Sequence, residues 1–415
     1  MSGRSVADRA ELAVVKPDFG ARGGFERHLD GLVAGLRGRD WRVTVVEIDG
    51  WTRPSRLYGL PVEPVQLEFH DEYFLHLAMV ERVQQLRLDR FDVVLTTQPP
   101  TYLAPHPRKV ALFYHHPRQF YDLAEPFMAS GFADPDLHRA AARAVRALER
   151  PAVGDVRFWL AGSAEVAGRL DRYWAIPAQR IDIHRAPPTT VPDAAPFHRP
   201  DGPVLCVGRQ EWPKRSELLV QAMHLAKTDR PAHLVGGGSR LDFVRSVDAQ
   251  LHHDPATAAS LDDEQLWLNR GIYAAGWEPF DGPPSGRIVF EGDVDDERRD
   301  ELYDEAAVVV APAYCEDYGL TAIEAMVRAR PVVVCRDGGG LTELVDDGIT
   351  GVVVEPDARA LASAVDHLLR DPARAARLGE SGRRAVLDIT MEQAVDQVDA
   401  ILRAVLEQPI EPSYP

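Results

Sequence analysis

The chain has 415 residues, 45% of them AVILMFWYC and 27% charged, a balance that excludes a mostly disordered protein. Its net charge of −17 argues against nucleic acid or an anionic membrane as partner. No apolar run approaches the ~20 residues of a bilayer span, and the opening MSGRSVADRAEL lacks the apolar stretch of a signal peptide. The expected compartment is the cytoplasm, with no integral membrane segment. At roughly 150 residues per domain the length predicts two domains, or three. Residues 1–200 hold 26 basic and 25 acidic residues, whereas 201–415 hold 21 and 39, as two separate domains would. Cys206, Cys315 and Cys335 form no CxxC and read as small buried hydrophobes.

A strand is predicted over 11–15, then a turn-rich loop over 16–24. A helix follows over 25–38, with Leu29, Leu32, Val33 and Leu36 at helical spacing. Residues 41–48 form a second strand, so the chain starts β-loop-α-β, the unit of a parallel sheet covered by helices. Residues 74–88 read as a helix, 91–96 and 110–114 as strands, 135–150 as an Ala/Arg-rich helix and 157–161 as a strand. Ser163 caps a helix running to about Trp174. The proline-rich, aperiodic stretch 186–202 is a linker.

The β/α pattern then restarts. Strands at 204–207, 232–235, 287–291, 308–311, 331–335 and 351–354 alternate with helices at 216–227, 297–306, 320–327, 339–345 and 358–369. From Pro372 onward the chain is mostly helical. The expectation is two doubly wound, Rossmann-like α/β domains, residues 1–190 and 200–385, with a C-terminal helix at about 388–410 packing back on the first. Ligands of such sheets bind beyond the carboxyl ends of the strands. With two sheets facing each other, the expected site is the cleft between them. Residues 255–286, with Trp267, Trp277 and Asp281-Gly282-Pro283-Pro284, interrupt the pattern and read as a structural elaboration.

The sharpest segment for chemistry runs from Ala311 to Pro356. Glu316 and Glu324 are separated by seven residues, and Gly319 sits where a strand exit becomes a helix. The amides of Gly319, Leu320 and Thr321 would then be unpaired at a helix start, which suits an anion. Arg209 and Lys214 lie five residues apart on the loop after the first strand of the second domain, a spacing suited to two phosphates. The chain has only four lysines, which makes Lys214 informative.

Arg209-x4-Lys214 followed by Glu316-x7-Glu324, within EDYGLTAIEAM and the later GGGLTELVDDGITGVVVEP, resembles the retaining glycosyltransferases of family 4, of GT-B fold. The order of elements, the linker and the C-terminal helices match over nearly the whole chain. The resemblance implies that Arg209 and Lys214 bind the diphosphate of a nucleotide-sugar donor, that Glu324 holds its ribose and that Glu316 contacts its sugar. The amides of Gly319, Leu320 and Thr321 would meet the sugar or the distal phosphate. Gly23 and Gly24 match a glycine-rich loop where backbone approaches the phosphate, and Gly292-Asp293-Val294 would pass under the base. A histidine after a strand of the first domain faces the reacting sugar in such enzymes. Here that is His115 or His116, with His115 favoured because Pro117 fixes the chain after His116. The family usually has glycine before the proline that opens the strand after the Glu324 helix, whereas this chain has Ala329-Arg330-Pro331.

Two patterns are set aside. Asp293-Val294-Asp295 spells a metal-binding DxD, but Asp295 or Asp296 reads better as a helix N-cap, and no metal is expected. Val235-Gly236-Gly237-Gly238 lacks dinucleotide-binding spacing and reads as a close-approach loop. The expected function is metal-independent, retaining transfer of a sugar from a UDP- or GDP-sugar to a small soluble acceptor, with no cofactor. A disaccharide synthase or phosphorylase and a non-catalytic sugar-nucleotide-binding protein are the alternatives. Glu68, His70, Asp71 and Glu72 cluster before a helix and read as its solvated start. The lysine-poor, arginine-rich composition points to a GC-rich bacterial genome.

Overall fold

Short valine-rich strands, the inner ones buried on both faces, build two parallel six-stranded sheets in the computed structural model of the chain. Each belongs to its own unit. One unit comprises Met1–Met128, Phe132–Pro187 and Thr390–Pro415, and the other Ala129–Gly131 and Pro188–Ile389. The structure describes residues 9–20, 23–130, 134–192, 199–268, 280 and 282–409, without the side chains of 66–72. No helix among them is long and apolar enough to cross a membrane.

The first unit's strands are β1 (Glu11–Asp18), β2 (Arg42–Asp49), β5 (Val93–Thr96), β6 (Lys109–Phe113), β7 (Val156–Ala161) and β8 (Ile181–Ile183), in the order β2-β1-β5-β6-β7-β8. A small antiparallel ribbon, β3 (Arg56–Leu57) with β4 (Leu60–Pro61), lies between β2 and β5 in sequence. Its helices, besides the last one of the chain, include α1 (Gly24–Gly38), α2 (Pro64–Gln84), α3 (Ala124–Ala129), α4 (Pro135–Gly154) and α5 (Ala164–Trp174). α2 starts ten residues before the periodic pattern suggests, because Pro64 can open a helix where its missing N–H costs nothing. The side chains of Glu68, His70, Asp71 and Glu72 lie outside the described residues.

The second unit orders its strands β11-β10-β9-β12-β13-β14. These are β9 (Val204–Val207), β10 (Ala232–Val235), β11 (Ile288–Gly292), β12 (Val308–Ala311), β13 (Val332–Cys335) and β14 (Val352–Val354). Its helices are α6 (Ser216–Leu225), α7 (Leu241–His253), α8 (Asp263–Trp267), α9 (Asp296–Glu305), α10 (Leu320–Met326), α11 (Leu341–Leu344), α12 (Ala358–Arg370) and α13 (Pro372–Val386). α7 and α8 are additions to the elements expected from the sequence. Within 255–286, Trp277 and Asp281 lie outside the described residues. In both sheets the strand order reverses once, at β1/β5 and at β9/β12, and such reversals open a crevice at the strand ends.

The last helix, α14 (Met391–Glu407), belongs to the first unit. A Cβ at Gly35 of α1 would lie 2.3 Å from a methyl of Val395, so glycine lets the two helices approach. Trp41 donates its indole N–H to Asp399 at 2.6 Å. His184 Nδ1 sits 2.8 Å from the amide oxygen of Gln397, an acceptor, so Nδ1 carries the proton. His28 Nε2 then donates to His184 Nε2 at 2.9 Å. Burial pushes both histidines below their ordinary range, His184 to about 4.

The Ala329 departure leaves the helix ending intact. The N–H groups of Ala329 and Arg330 bond back to Met326 and Ala325 carbonyls, a glycine-type ending, with Ala329 held at φ +54°. Left-handed backbone costs a residue with a Cβ roughly 1–2 kcal/mol, against roughly 0.5–1 kcal/mol for glycine's extra freedom in the unfolded chain. Ala329→Gly is therefore expected to stabilise the protein by about 0.5–1 kcal/mol in urea unfolding followed by circular dichroism. A loss of stability would show that Ala329 carries no strain.

Candidate functional site

The site assembles at the β9/β12 reversal, where three strand-exit loops are tied together. After β9 the chain passes through Gly208 into Arg209, Trp212 and Lys214. The loop after β10 lies directly on it: Gly208 N–H bonds to Val235 O at 3.1 Å and Gln210 N–H to Gly237 O at 2.7 Å. A Cβ at Gly236 would sit 2.3 Å from Gly208 O, so this glycine run is the close-approach loop expected from the sequence. Trp212 stacks on Trp267, with ring centroids 4.8 Å apart. Each indole N–H donates to the other residue's carbonyl, at 2.9 and 3.0 Å.

Arg215 is the main brace. It is buried, sits at φ +49°, and grips Asp337 through two bonds of 2.9 and 2.6 Å. Its Nε donates to Pro312 O at 2.9 Å. The loop after β12 is thereby joined to that after β13. Glu316 N–H donates to Gly338 O at 3.0 Å, and Gly340 N–H to Glu316 O at 2.8 Å. Gly339 adopts φ +58°, and a Cβ there would lie 2.7 Å from Glu316 O, which requires glycine on both counts.

This bracing aims the Glu316 carboxylate at Lys214, whose Nζ donates to Oε2 at 2.6 Å. The two lie on the wall of a small pocket also lined by Cys206, Val207, Gly208, Arg209, Ser216, Ala311, Pro312, Ala313, Gly319, Thr321 and Leu341. Arg209 is exposed at its mouth. Gly319 caps α10 at φ +107°, and the amides of Leu320 and Thr321 stand at the open start of that helix. The Thr321 hydroxyl donates to Val207 O at 3.1 Å, fixing the helix start to β9.

Of the residues expected here, the fold brings together Arg209, Lys214, Glu316, Gly319 and Thr321, with Leu320 adjoining. Glu324 is not in the pocket lining. It is buried, its oxygens accepting from the hydroxyls of Thr189 at 3.2 Å and Tyr303 at 3.1 Å. Burial and then the Glu324 charge push the Tyr303 hydroxyl well above its ordinary range, so it stays a donor. Gly292 and Val294 lie at the end of β11, two strands from β9. Asp293 accepts from Gly237 N–H at 2.7 Å and Asp295 caps α9 by accepting from Arg298 N–H at 2.8 Å, so both carboxylates of the DxD have structural partners. Cys206 and Cys335 are buried, which pushes each thiol up to about 12. Cys315 departs from expectation: it is half-buried, at φ +48°, in the loop pinned by Asp337 O.

In the first unit, Gly24 opens α1 and Gly23 donates its N–H to Glu26 at 2.7 Å, in extended backbone at φ −113° that does not require glycine. His115 follows β6 and is half-buried. Its Nδ1 faces His116 O at 2.9 Å, and because a carbonyl only accepts, Nε2 presents a lone pair when the ring is neutral. His116 is the packing histidine of the pair, 1% exposed and stacked on Tyr121 at 4.3 Å. Tyr121 and Tyr102 both donate to the fully buried Glu149, which anchors the loop beneath His115.

Sequence reasoning missed Arg215, Asp337, Tyr303 and Thr189. Arg215 adjoins the lysine singled out, and Asp337 opens the glycine run after β13, the one local signal that a carboxylate was needed there.

Residues 284–385 match the family of glycosyl transferases group 1, and this segment contains both Glu316 and Glu324. LpcC, a lipopolysaccharide core biosynthesis mannosyltransferase of Rhizobium leguminosarum bv. viciae, is 36% identical over 205 residues, which are 48% of this chain and 50% of that protein. The chain thus spans about half the length of this curated relative. Sucrose-phosphate synthase from Thermosynechococcus elongatus superposes with a TM-score of 0.64 at 20% identity, covering 96% of this chain and 99% of that one. Anabaena HepE in complex with UDP and glucose gives 0.60 at 15% identity, covering 95% and 100%. The fold is GT-B, as the sequence resemblance implied.

The Lys214–Glu316 pair is partly solvated, a class worth roughly 0.2–1 kcal/mol, and it competes for the Lys214 charge with any anion in the pocket. Glu316→Gln is therefore expected to tighten pyrophosphate binding about 2–5-fold in calorimetric titration. Weaker binding would mean that Glu316 orients Lys214 rather than competing for it.

Proposed function

We propose that the protein is a retaining glycosyltransferase that moves a sugar from a nucleotide-sugar donor to an acceptor hydroxyl without a metal. The observation that carries this reading is the pocket at the β9/β12 reversal, where Arg209, Lys214 and the start of α10 converge on one small volume. The UDP and glucose held by Anabaena HepE and the mannosyltransferase name of LpcC support it.

In this reading a diphosphate draws Lys214 away from Glu316. Arg209, Lys214 and the helix-start amides then bear the charge that grows as the sugar–phosphate bond breaks. Glu316, released from Lys214 but held by its backbone bonds, accepts from donor-sugar hydroxyls. Glu324 retains a second lone pair on each oxygen for the ribose diol. The acceptor oxygen attacks on the face the diphosphate leaves, and the departing phosphate oxygen takes its proton. Configuration is retained. His115 Nε2 accepts from a hydroxyl of the reacting sugar. Arg209 and Lys214 bear the charge on the leaving group, a reading supported by the partners that Asp293 and Asp295 have within the fold. The name of the sucrose-phosphate synthase neighbour makes a phosphorylated sugar an acceptor to include in assays.

Each charge-assisted bond to a phosphate is worth roughly 1.5–3 kcal/mol. Arg209→Ala with Lys214→Ala is expected to weaken UDP or GDP binding at least about 100-fold in calorimetry with excess EDTA, and to abolish donor turnover. Unchanged affinity in the double variant, or binding by the native protein only when Mg²⁺ or Mn²⁺ is supplied, would overturn the reading.

A further inference from the structure

Trp51 follows β2 at the ligand edge of the first unit's sheet and leaves 62% of its surface in water. An indole this exposed forgoes a large burial gain, since apolar surface is worth roughly 25 cal/mol per Å². It is nevertheless held in place. Its ring N–H donates to Phe19 O at 2.6 Å and its backbone N–H to Asp49 Oδ1 at 2.9 Å. Phe19, just after β1, meets it edge to face, with centroids 5.8 Å apart at 78°. The Phe19 ring passes over Gly50, where a Cβ would lie 2.5 Å from it. Arg82 on α2 donates to the carbonyls of Asp49 and Thr52 at 2.6 and 2.7 Å, bracing the same turn.

The indole's polar atom is thus satisfied within the protein, and what it offers a partner is its apolar ring. Exposed carboxylates border it. Asp18 accepts from Gly20 N–H at 2.9 Å. Hydrogen bonds from the Thr52 side chain and from the backbone of Trp51 and Thr52 hold the Asp49 carboxyl at about 2, so it is ionised. Arg53 is exposed two residues after Trp51 and Arg82 braces the turn, so the border carries both signs rather than the cation cluster of a membrane-docking tip. An aromatic face beside carboxylates suits a ligand with one apolar C–H face and hydroxyl donors on its rim, which describes a pyranose.

We propose that Trp51 and Phe19 form a stacking subsite for one ring of an oligosaccharide acceptor, with Asp18 accepting from its hydroxyls. The inference rests on the glycosyl-transfer reading for the acceptor role. In the strand order β2-β1-β5-β6, three spacings separate the end of β2 from that of β6, which leads to His115. That is about 14 Å, more than the length of one hexose. The ring on Trp51 is therefore not the one that receives the sugar, and the acceptor has at least two residues.

The test uses the full chain on an array of di- to hexasaccharides, with hits titrated by tryptophan fluorescence. The native protein is expected to bind at least one oligosaccharide. Trp51→Ala should weaken that binding at least about 10-fold, whereas Trp51→Phe, which keeps an aromatic face, should stay within about 3-fold. Thermal melting checks that both variants fold. No oligosaccharide bound by the native protein, or equal binding by Trp51→Ala, would overturn the subsite. So would Trp51-dependent binding to phosphatidylcholine–phosphatidylglycerol vesicles in place of glycans. UDP and GDP titrations of the native protein test the donor reading separately. Trp51-dependent glycan binding without nucleotide binding would leave the subsite standing and remove the transferase reading.

Discussion

The bidentate grip of Arg215 on Asp337 is the interaction on which the pocket depends. Arg215 is buried, so without Asp337 it would be an uncompensated charge, a situation that costs roughly 3–5 kcal/mol. Its third bond, to Pro312 O, links the exits of β9, β12 and β13 through one side chain. The glycines at 338–340 can then lie against the 315–318 backbone, and Glu316 has no backbone freedom left. Lys214, the residue before Arg215, is delivered to Glu316 by the same brace. Rigid positioning of this kind is what an electrostatic site needs, because charges already in place cost nothing to reorganise as a leaving group departs.

The two units use one topology for different ends. Each sheet reverses order once, and each reversal is flanked by chemistry-bearing residues. In the second unit these are cations and helix-start amides. In the first they are His115 on one side of the β1/β5 reversal and the Phe19–Trp51 pair on the other. There the exposed aromatic pair stands beside the Asp18 and Asp49 carboxylates and the Arg82 guanidinium. The polar core from His116 and Tyr121 to Glu149 keeps the His115 loop fixed.

Much of this was legible in the sequence because it rests on short-range patterns. Valine runs marked the parallel strands, and Arg209, Lys214 and Glu316, singled out by their spacing, line one pocket. What escaped were features fixed by long-range packing. Arg215 and Asp337 are 122 residues apart and Trp212 and Trp267 55 apart, distances over which no periodicity carries information. The place of Glu324 one turn into α10 is local, whereas Tyr303 and Thr189, which hold its carboxylate, come from elsewhere in the chain. Ala329 is a family glycine position filled by alanine, with packing imposing the left-handed turn.

In the proposed reaction a diphosphate binds at the β9/β12 reversal and takes Lys214 from Glu316. A crystal structure of the protein with UDP or GDP tests this most directly. The phosphates are expected within hydrogen-bond distance of Lys214, Arg209 and the amides at the start of α10, with the Lys214–Glu316 bond broken. Phosphates bound elsewhere, or a Lys214–Glu316 pair still closed beside the bound nucleotide, would contradict it.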